Sequence, residues 1–425
     1  MNKVVVVDGS RTPFLRSGTD YMDLMSYQLG GFAIKGLLNK TGIEAGQVDS
    51  VIMGNVISNV KTPNVAREAA LAAGIPNTTP CRTVSQACIS ANRAISDGCL
   101  EIMTGQSDIV IAGGIDHTSD SPILFPRKMR KKLFKAQKLK TMGDNINFVT
   151  SLRLSDFVPE RPAVAEYSTD RVMGQDCDIM AARFQVSREE QDKYAVRSHQ
   201  LAAKAHEDGH LPAEIVDVHL PPKFKNIDKD NGVRGDSTLE KVARLRPAFD
   251  KKYGTLTAAN SSFLTDGASA VLLMSEDKAK ELGLKPKVEV VDFAFTGQSL
   301  DDELLLGPAY ATSKLLKKQD LTLEDLDVIE FHEAFAGQIL SNIRALASDE
   351  FAKENLGRDK AVGDIPMEKF NLWGGSLSIG HPFGATGGRL VTTTANRLIK
   401  EKGKLGLLAA CAAGAHGHAM LLKRI

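Results

Sequence analysis

Short runs of consecutive apolar, β-branched residues alternate along this chain with stretches whose apolar positions recur at helical spacing, a pattern that predicts layered α/β structure. Lys3 to Val7 is brief and valine-rich and ends at Asp8 and Gly9, which reads as a buried strand rather than a helix. Asn64 to Ala73 lacks strict alternation and reads as a helix, with Pro63 just ahead of it. Ser90 to Met103 has helix-forming spacing, and Asp108 to Ala112 reads as a strand closed by Gly113 and Gly114. Strand, turn, helix and strand in this order form one α/β unit.

From about Ser121 to Pro247 the character changes. A strongly basic run, RKMRKKLFKAQKLK at Arg127 to Lys140, is followed by polar, proline-punctuated segments. A helix then opens with SREEQD, where Ser187 can cap the first turn and Glu190, three residues on, completes a capping box. This middle part reads as a loop-rich insertion in the first α/β unit. From Val288 the early pattern returns: VEVVDFAFTG resembles VVVVDGSRTP, and LGLLAACAAG resembles SDIVIAGG. Between them SLSIGHPFGATGGRLVTTTANRLIKEKG echoes SQACISANRAISDGCLEIMTG, small residues and a reactive side chain leading into a helix. The order of events predicts two copies of one fold, with residues 1–120 and 248–282 forming the first half, 121–247 a loop domain and 283–425 the second half. An accidental likeness of two α/β halves would give the same periodicity.

At 425 residues the chain exceeds one simple core, and two or three domains are the natural expectation. The formal charge of +1 offers no global attraction to nucleic acid or anionic membrane, so an electrostatic partner needs a local patch. Arg127 to Lys140 is such a patch, with eight basic residues and no acidic one, and with Met129, Leu133 and Ala136 near one helical face. A helix of this kind can touch anionic lipid, attract acidic thioesters, dock on a partner or simply be solvated. No nucleic-acid reading module accompanies it, so nucleic acid is not an expected partner. The five cysteines are scattered and odd in number, which fits a reducing compartment better than a disulfide framework or a zinc site. The start goes directly into a strand pattern without the zones of a secretory leader. No stretch approaches the roughly 20 apolar residues that span a bilayer. The cytoplasm is the expected location on these grounds.

Cys88 lies where the helical pattern of Ser90 to Met103 begins. At a helix N-terminus the unpaired N–H groups and the dipole favour a thiolate, which would lower the thiol pKa and make Cys88 a nucleophile. Taken alone it reads more readily as a core cysteine, as do Cys81, Cys99 and Cys177, which have no partner signal. His332 opens HEAFAGQ directly after the strand pattern Val328 to Phe331, and so emerges at a strand end, where α/β proteins place functional groups. His381 stands in SIGHPFGATG, whose glycines permit a tight loop and close backbone approach. Each histidine singly could be structural. Cys411 ends a run of small apolar residues and precedes AAGAHGHA. His416 and His418 have no evident third ligand, so no metal site is expected.

Together, SQACISANRAI, TLTAANSSFLTDGASA, HEAFAGQ, GGSLSIGHPFGATGGR, CAAGAHGHAMLL and the opening SRTPF resemble the signatures of the thiolase family over essentially the whole chain. The resemblance implies a duplicated five-layered α-β-α-β-α fold with an inserted loop domain. It also implies acetyl-CoA C-acyltransferase activity in fatty-acid β-oxidation, with CoA as cosubstrate and no permanently bound cofactor. By motif position Cys88 is implied as nucleophile, Cys411 as the acid/base thiol, and His381 and His332 as the histidines that activate Cys88 and stabilise oxyanions. Arg234 of GVRGDST and Ser262 of NSSFLTDG are implied CoA contacts, and Met173 of VMGQD is implied to line the pantetheine or acyl channel. His332 stands where many thiolases carry Asn, a variant that resembles the β-subunits of trifunctional fatty-acid oxidation complexes. Ala413 and Ala415 replace usual glycines, and Ile89 follows the nucleophile where a small residue is common. The resemblance further implies a homodimer or tetramer, admits a hydratase/dehydrogenase partner subunit, and favours membrane or complex contact for Arg127 to Lys140. A biosynthetic acetoacetyl-CoA thiolase, a decarboxylating 3-ketoacyl synthase and a non-catalytic scaffold are the rival functions. The synthase leaves Cys411 without its role, and the four reactive side chains together speak against the scaffold.

Overall fold

A computed structural model describes residues 2–160 and 165–425. Its strands are β1 (Val4–Arg11), β2 (Leu15–Arg16), β3 (Ser50–Gly54), β4 (Cys81–Val84), β5 (Ile109–His117), β6 (Val218–Leu220), β7 (Lys225–Ile227), β8 (Thr265–Ser275), β9 (Val288–Gly297), β10 (Val328–Phe331), β11 (Leu405–Ala412) and β12 (His416–Arg424). The large sheet runs β10-β11-β12-β9-β1-β8-β5-β3-β4, with β2 beside β8, while β6 and β7 pair separately. Outward from its centre each half repeats one pattern. β1 is antiparallel to β8, β8 to β5, and β5 is parallel to β3. Likewise β9 is antiparallel to β12, β12 to β11, and β11 is parallel to β10. The halves join where β1 and β9 meet antiparallel at Val5↔Glu289 and Val6↔Val288. The repeat seen in the apolar pattern is therefore a repeat of topology.

Period-two alternation explains the layers, because successive side chains of a strand point to opposite faces and here both faces are covered. Val4 and Val6 of β1, Val271 and Leu273 of β8, and Leu408 and Ala410 of β11 share an inner core. That core also holds Ile95 and Cys99 of helix Ser90–Met103 and Leu390 and Val391 of helix Thr386–Lys400. The opposite face of the first half, with Val5, Ile111 and Leu272, packs on helices Ser26–Thr41 and Val65–Ala72. That of the second, with Leu407, Ala409 and Leu421, packs on helices Gly307–Gln319 and Ala336–Ala347. Helix, sheet, helix, sheet and helix make five layers, the duplicated α/β arrangement expected from sequence.

One expected boundary differs. β5 does not stop at Gly113 and Gly114 but runs through them to His117. Both glycines are needed for close approach: a Cβ at Gly113 would strike the Ser269 carbonyl, and one at Gly114 would strike the carbonyl of Gly384 in the GHPFGATG loop. They read as terminators because contacts with segments so distant in sequence are invisible locally. Ser187 caps helix Arg188–Glu207 with Glu190 completing the box. Arg127–Ala136 is helical with Met129 buried and Phe134 exposed, and is tied by Lys132 to Asp156 and by Arg130 to Glu160. No helix among the described residues is long and apolar enough to cross a membrane.

Candidate active site

Cys88 precedes helix Ser90–Met103, whose N-cap is Ile89, and follows Ala87 at φ +46°. The left-handed backbone at Ala87 turns the chain sharply from β4 toward the helix and is costly for a residue with a Cβ. Ser90 Oγ fixes the turn, donating to the Ala87 carbonyl at 2.7 Å and accepting from Gln86 N–H at 2.8 Å. The expected lowering of the Cys88 pKa is not what the site produces. Burial pushes the thiol up to about 11, with the carboxyl groups of Asp116 and Glu166 adding to the rise, although the Ala413 N–H pulls the other way. Desolvation of a sulfur anion here outweighs the helix terminus.

The contact with Ala413 brings the two distant cysteines together, since Cys411, the penultimate residue of β11, lies two residues earlier. The Cys411 thiol is pushed up by burial first and by proximity of Cys88 second. Beyond it the chain turns through Gly414 at φ +79° and Ala415 at φ +55° into β12. Ala415 thus takes a backbone conformation that glycine adopts more readily. Gly414 N–H donates to the Glu166 carboxylate, which reaches over from the long stretch between β5 and β6.

His332 and His381 are buried side by side, ring centroids 4.0 Å apart and planes inclined by 40°. His332 leaves β10 with its N–H on the Ala409 carbonyl of β11 at 2.8 Å, so it stands two residues from Cys411 on the neighbouring strand. Its Nδ1 lies 3.0 Å from Ser376 Oγ. His381 Nδ1 lies 2.6 Å from Thr386 Oγ1. Both Nε2 atoms are buried without a partner. Burial lowers both imidazole pKa values, that of His381 to about 3, with the nearby Arg389 charge adding to the effect. His332 is also lowered by His381.

The GHPFGATG loop is seated by close packing. A Cβ at Gly387 would collide with Asn92 of the Cys88 helix, and one at Gly384 would press on Asp116. Asp116 accepts from the backbone N–H of Gly384 and Ile57, joining the His381 loop to the first half. Glu333, next to His332, accepts from Tyr194 Oη and Asn371 Nδ2 at 2.8 Å, Ser198 Oγ at 2.7 Å and Leu377 N–H at 3.2 Å. Asp116, Glu166 and Glu333 were not singled out from sequence, where an isolated carboxylate beside a turn carries no signal of the donors it will meet.

The three residues implied for CoA stand in different surroundings. Ser262 N–H donates to the Ala334 carbonyl at 2.9 Å, placing it beside the His332 segment. Arg234 is exposed, its N–H bonded to His199 Nδ1 at 3.1 Å. Near it, Arg16 stacks 3.9 Å over Phe263, and its pKa is lowered by burial and by the Arg234 charge. Met173 opens helix Met173–Arg183 and packs against the core cluster that contains Cys411 and Phe335. Among the described residues no three His, Cys, Asp or Glu side chains are grouped to hold a metal ion.

Two family descriptions match the chain, "Thiolase, N-terminal domain" over residues 4–277 and "Thiolase, C-terminal domain" over 284–424. The chain is 55% identical to the mitochondrial trifunctional enzyme subunit beta of Macaca fascicularis, covering 100% of this chain and 88% of that protein. It is 50% identical to a probable 3-ketoacyl-CoA thiolase of Caenorhabditis elegans, with 100% and 94% covered. It superimposes on the crystal structure of human mitochondrial 3-ketoacyl-CoA thiolase in complex with CoA at a TM-score of 0.85, with 31% identity and coverage of 100% and 98%. The cytoplasmic location expected from sequence does not hold, because relatives of this identity are mitochondrial proteins. Free, scattered cysteines fit any reducing compartment and cannot distinguish one from another.

Proposed function

The chain belongs to the thiolase family, and from that premise we propose how its side chains cleave a 3-ketoacyl-CoA with CoA, in fatty-acid β-oxidation, to acetyl-CoA and an acyl-CoA shortened by two carbons. The observation that carries the assignment is the meeting of Cys88 with the Cys411 loop through Ala413, in a molecule whose two adjacent histidines leave both Nε2 atoms free.

Cys88 attacks the C3 carbonyl. Burial raises the Cys88 thiol and lowers His381, so passing the proton between them before the substrate reacts is uphill. A thiolate is therefore not stored in the resting enzyme, and the proton moves to His381 as the sulfur–carbon bond forms. Cleavage of the C2–C3 bond expels the enolate of acetyl-CoA. His332 and the newly protonated His381 stabilise its oxygen, and Cys411 protonates its carbon. Cys411 then takes the proton of incoming CoA-SH, whose sulfur attacks the acyl group on Cys88 and expels Cys88 as a thiolate that recovers its proton from His381. Backbone N–H groups at Cys88 and Ala413 hold the oxyanion of that second intermediate. Reversal joins two thioesters, so condensation of two acetyl-CoA uses the same atoms.

Arg234 and Ser262 bind the CoA portion at the rim and Met173 borders the acyl channel. Residues 1–120 with 248–282, 121–247 and 283–425 act as first half, loop domain and second half. The enzyme works as a homodimer or tetramer joined to a hydratase/dehydrogenase subunit, with helix Arg127–Ala136 as a contact to that complex or to anionic lipid. Absence of salt-sensitive sedimentation with anionic liposomes removes the lipid contact. Thiolysis over a series of 3-ketoacyl-CoA lengths tests the function: turnover favouring medium or long chains is expected, and no CoA-dependent cleavage at any length refutes it.

A further inference from the structure

The two adjacent histidines are chemically alike but are not held alike, and the difference lies in where the neighbouring hydroxyl hydrogens are spent. Ser376 Oγ receives Arg389 Nη2 at 3.0 Å and lies 3.0 Å from His332 Nδ1. A guanidinium only donates, so one Ser376 lone pair is occupied by it. The hydroxyl hydrogen then has His332 Nδ1 as its acceptor. Were Nδ1 to carry a proton instead, Ser376 would accept twice and its own hydrogen would be buried without an acceptor, a state folded proteins avoid. The Nδ1–H form leaves two groups unpaired, that hydroxyl hydrogen and the Nε2 lone pair, whereas the Nε2–H form leaves only the Nε2 proton, so the surroundings favour neutral His332 with its proton on Nε2.

At His381 the same accounting gives the opposite result. Thr386 Oγ1 has an acceptor of its own in the Pro382 carbonyl at 3.1 Å, so its hydrogen need not be spent on the ring. It accepts from His381 Nδ1 at 2.6 Å, and the Nε2 of His381 is a bare lone pair. Neither ring gains a partner at Nε2, and both are buried. Burial and the Arg389 charge disfavour the cationic form of each.

We propose that Ser376 and Arg389 are positioning residues that lock His332 as the Nε2–H tautomer, opposite to the Nδ1–H tautomer of His381, so that one ring is a standing oxyanion donor and the other a standing base. The catalytic consequence rests on the thiolase assignment; the tautomers do not. Two lone pairs at the Nε2 positions would leave the carbonyl oxygen without an imidazole donor as Cys88 attacks, and two N–H groups would leave Cys88 without a base. Arg389 is wholly buried with Nε and Nη1 unpartnered and Glu330 3.9 Å away, so its bond to Ser376 is the one hydrogen bond it makes among the described residues. A charge buried at this cost is accounted for if its task is to orient one hydroxyl.

Ring-¹⁵N histidine NMR of the intact, substrate-free enzyme reads the tautomers, with His332→Gln and His381→Gln assigning the signals. The expected spectrum has the proton of His332 on Nε2 and that of His381 on Nδ1; a proton on Nδ1 of both rings overturns the proposal. Ser376→Ala is expected to release His332 toward the Nδ1–H form, leave His381 unchanged, and lower kcat about 10- to 100-fold with KM within about twofold, a part of the loss that follows deletion of an oxyanion donor. Ser376→Thr, which restores a hydroxyl, is expected to recover the tautomer. Arg389→Met is expected to release His332 and Arg389→Lys to hold it, which supplies an independent arm should Ser376→Ala not fold. An unchanged His332 tautomer in the hydroxyl or guanidinium deletions refutes the locking role. Loss of thiolysis in the wild type would refute the thiolase assignment alone.

Discussion

Replacing Glu333 by Gln changes one atom, yet it should both destabilise the protein and slow catalysis. The carboxylate receives four donors, two on each oxygen. An amide has only one acceptor oxygen, so its NH₂ must face either Tyr194 and Asn371 or Ser198 and Leu377. The second orientation is cheaper. Ser198 can rotate toward Ser378 Oγ, 3.1 Å away, leaving only the Leu377 N–H without an acceptor. A buried donor left unmade costs about 1–3 kcal/mol, and the two surviving bonds lose charge assistance worth about 1 kcal/mol each. The sum is about 3–5 kcal/mol, against about 1–2 kcal/mol for Tyr194→Phe, which removes one donor. The damage is local to the chain on both sides of His332, because Asn371 also bonds the N–H and carbonyl of Phe331. Trp373, the only tryptophan of the chain, is buried in the same loop and stacked 4.4 Å from His210, so its fluorescence follows unfolding where the change is made. Urea titration of wild type, Glu333→Gln and Tyr194→Phe, with kcat measured below the transition, should give that order of loss. A Glu333→Gln enzyme within about 0.5 kcal/mol of wild type and with unchanged kcat would refute the reasoning.

Two further outcomes are expected. His418 is buried between Asn92 and Ser96, and burial, with the Arg93 charge, lowers its pKa to about 3. The unfolded chain takes up a proton below about pH 6.5 while the folded chain does not until about 3, so the stability His418 contributes is complete above 6.5 and is lost as pH falls through 3. His418→Gln should therefore move the acid-unfolding midpoint to lower pH, read by Trp373 fluorescence, and an unmoved midpoint would exclude the linkage. Arg234→Ala should raise KM for CoA more than it lowers kcat, and the reverse split in steady-state kinetics would argue against a binding role.

Much of this architecture is legible in the sequence because it is written in local periodicity. Helix Ser90–Met103 and strand Val328–Phe331 have the bounds their apolar spacing predicts. The repeat in the β1 and β9 patterns corresponds to strands that meet at the centre of the sheet. What local pattern misses is contact between distant segments. Gly113 and Gly114 read as strand terminators although they are clearances for Ser269 and for the His381 loop. The direction of the Cys88 shift was misread for a related reason. A helix N-terminus is visible in sequence, whereas enclosure by Asp116, Glu166 and the Cys411 loop is not. The buried donors around Glu333 and Ser376 likewise come from three separated stretches of chain, so the carboxylate and hydroxyl that organise the histidines look ordinary in isolation.

The central claim is a division of labour between two sulfurs, and acyl transfer measured by intact mass and peptide mapping tests it most directly. Given a 3-ketoacyl-CoA without free CoA, the wild type should gain one acyl mass on the peptide containing Cys88, and Cys88→Ala should gain none. Cys411→Ala should still accept some acyl group at Cys88 from an acyl-CoA, yet fail to exchange the C2 protons of acetyl-CoA with solvent deuterium. An adduct mapped to another residue, or full turnover in either variant, would contradict the account.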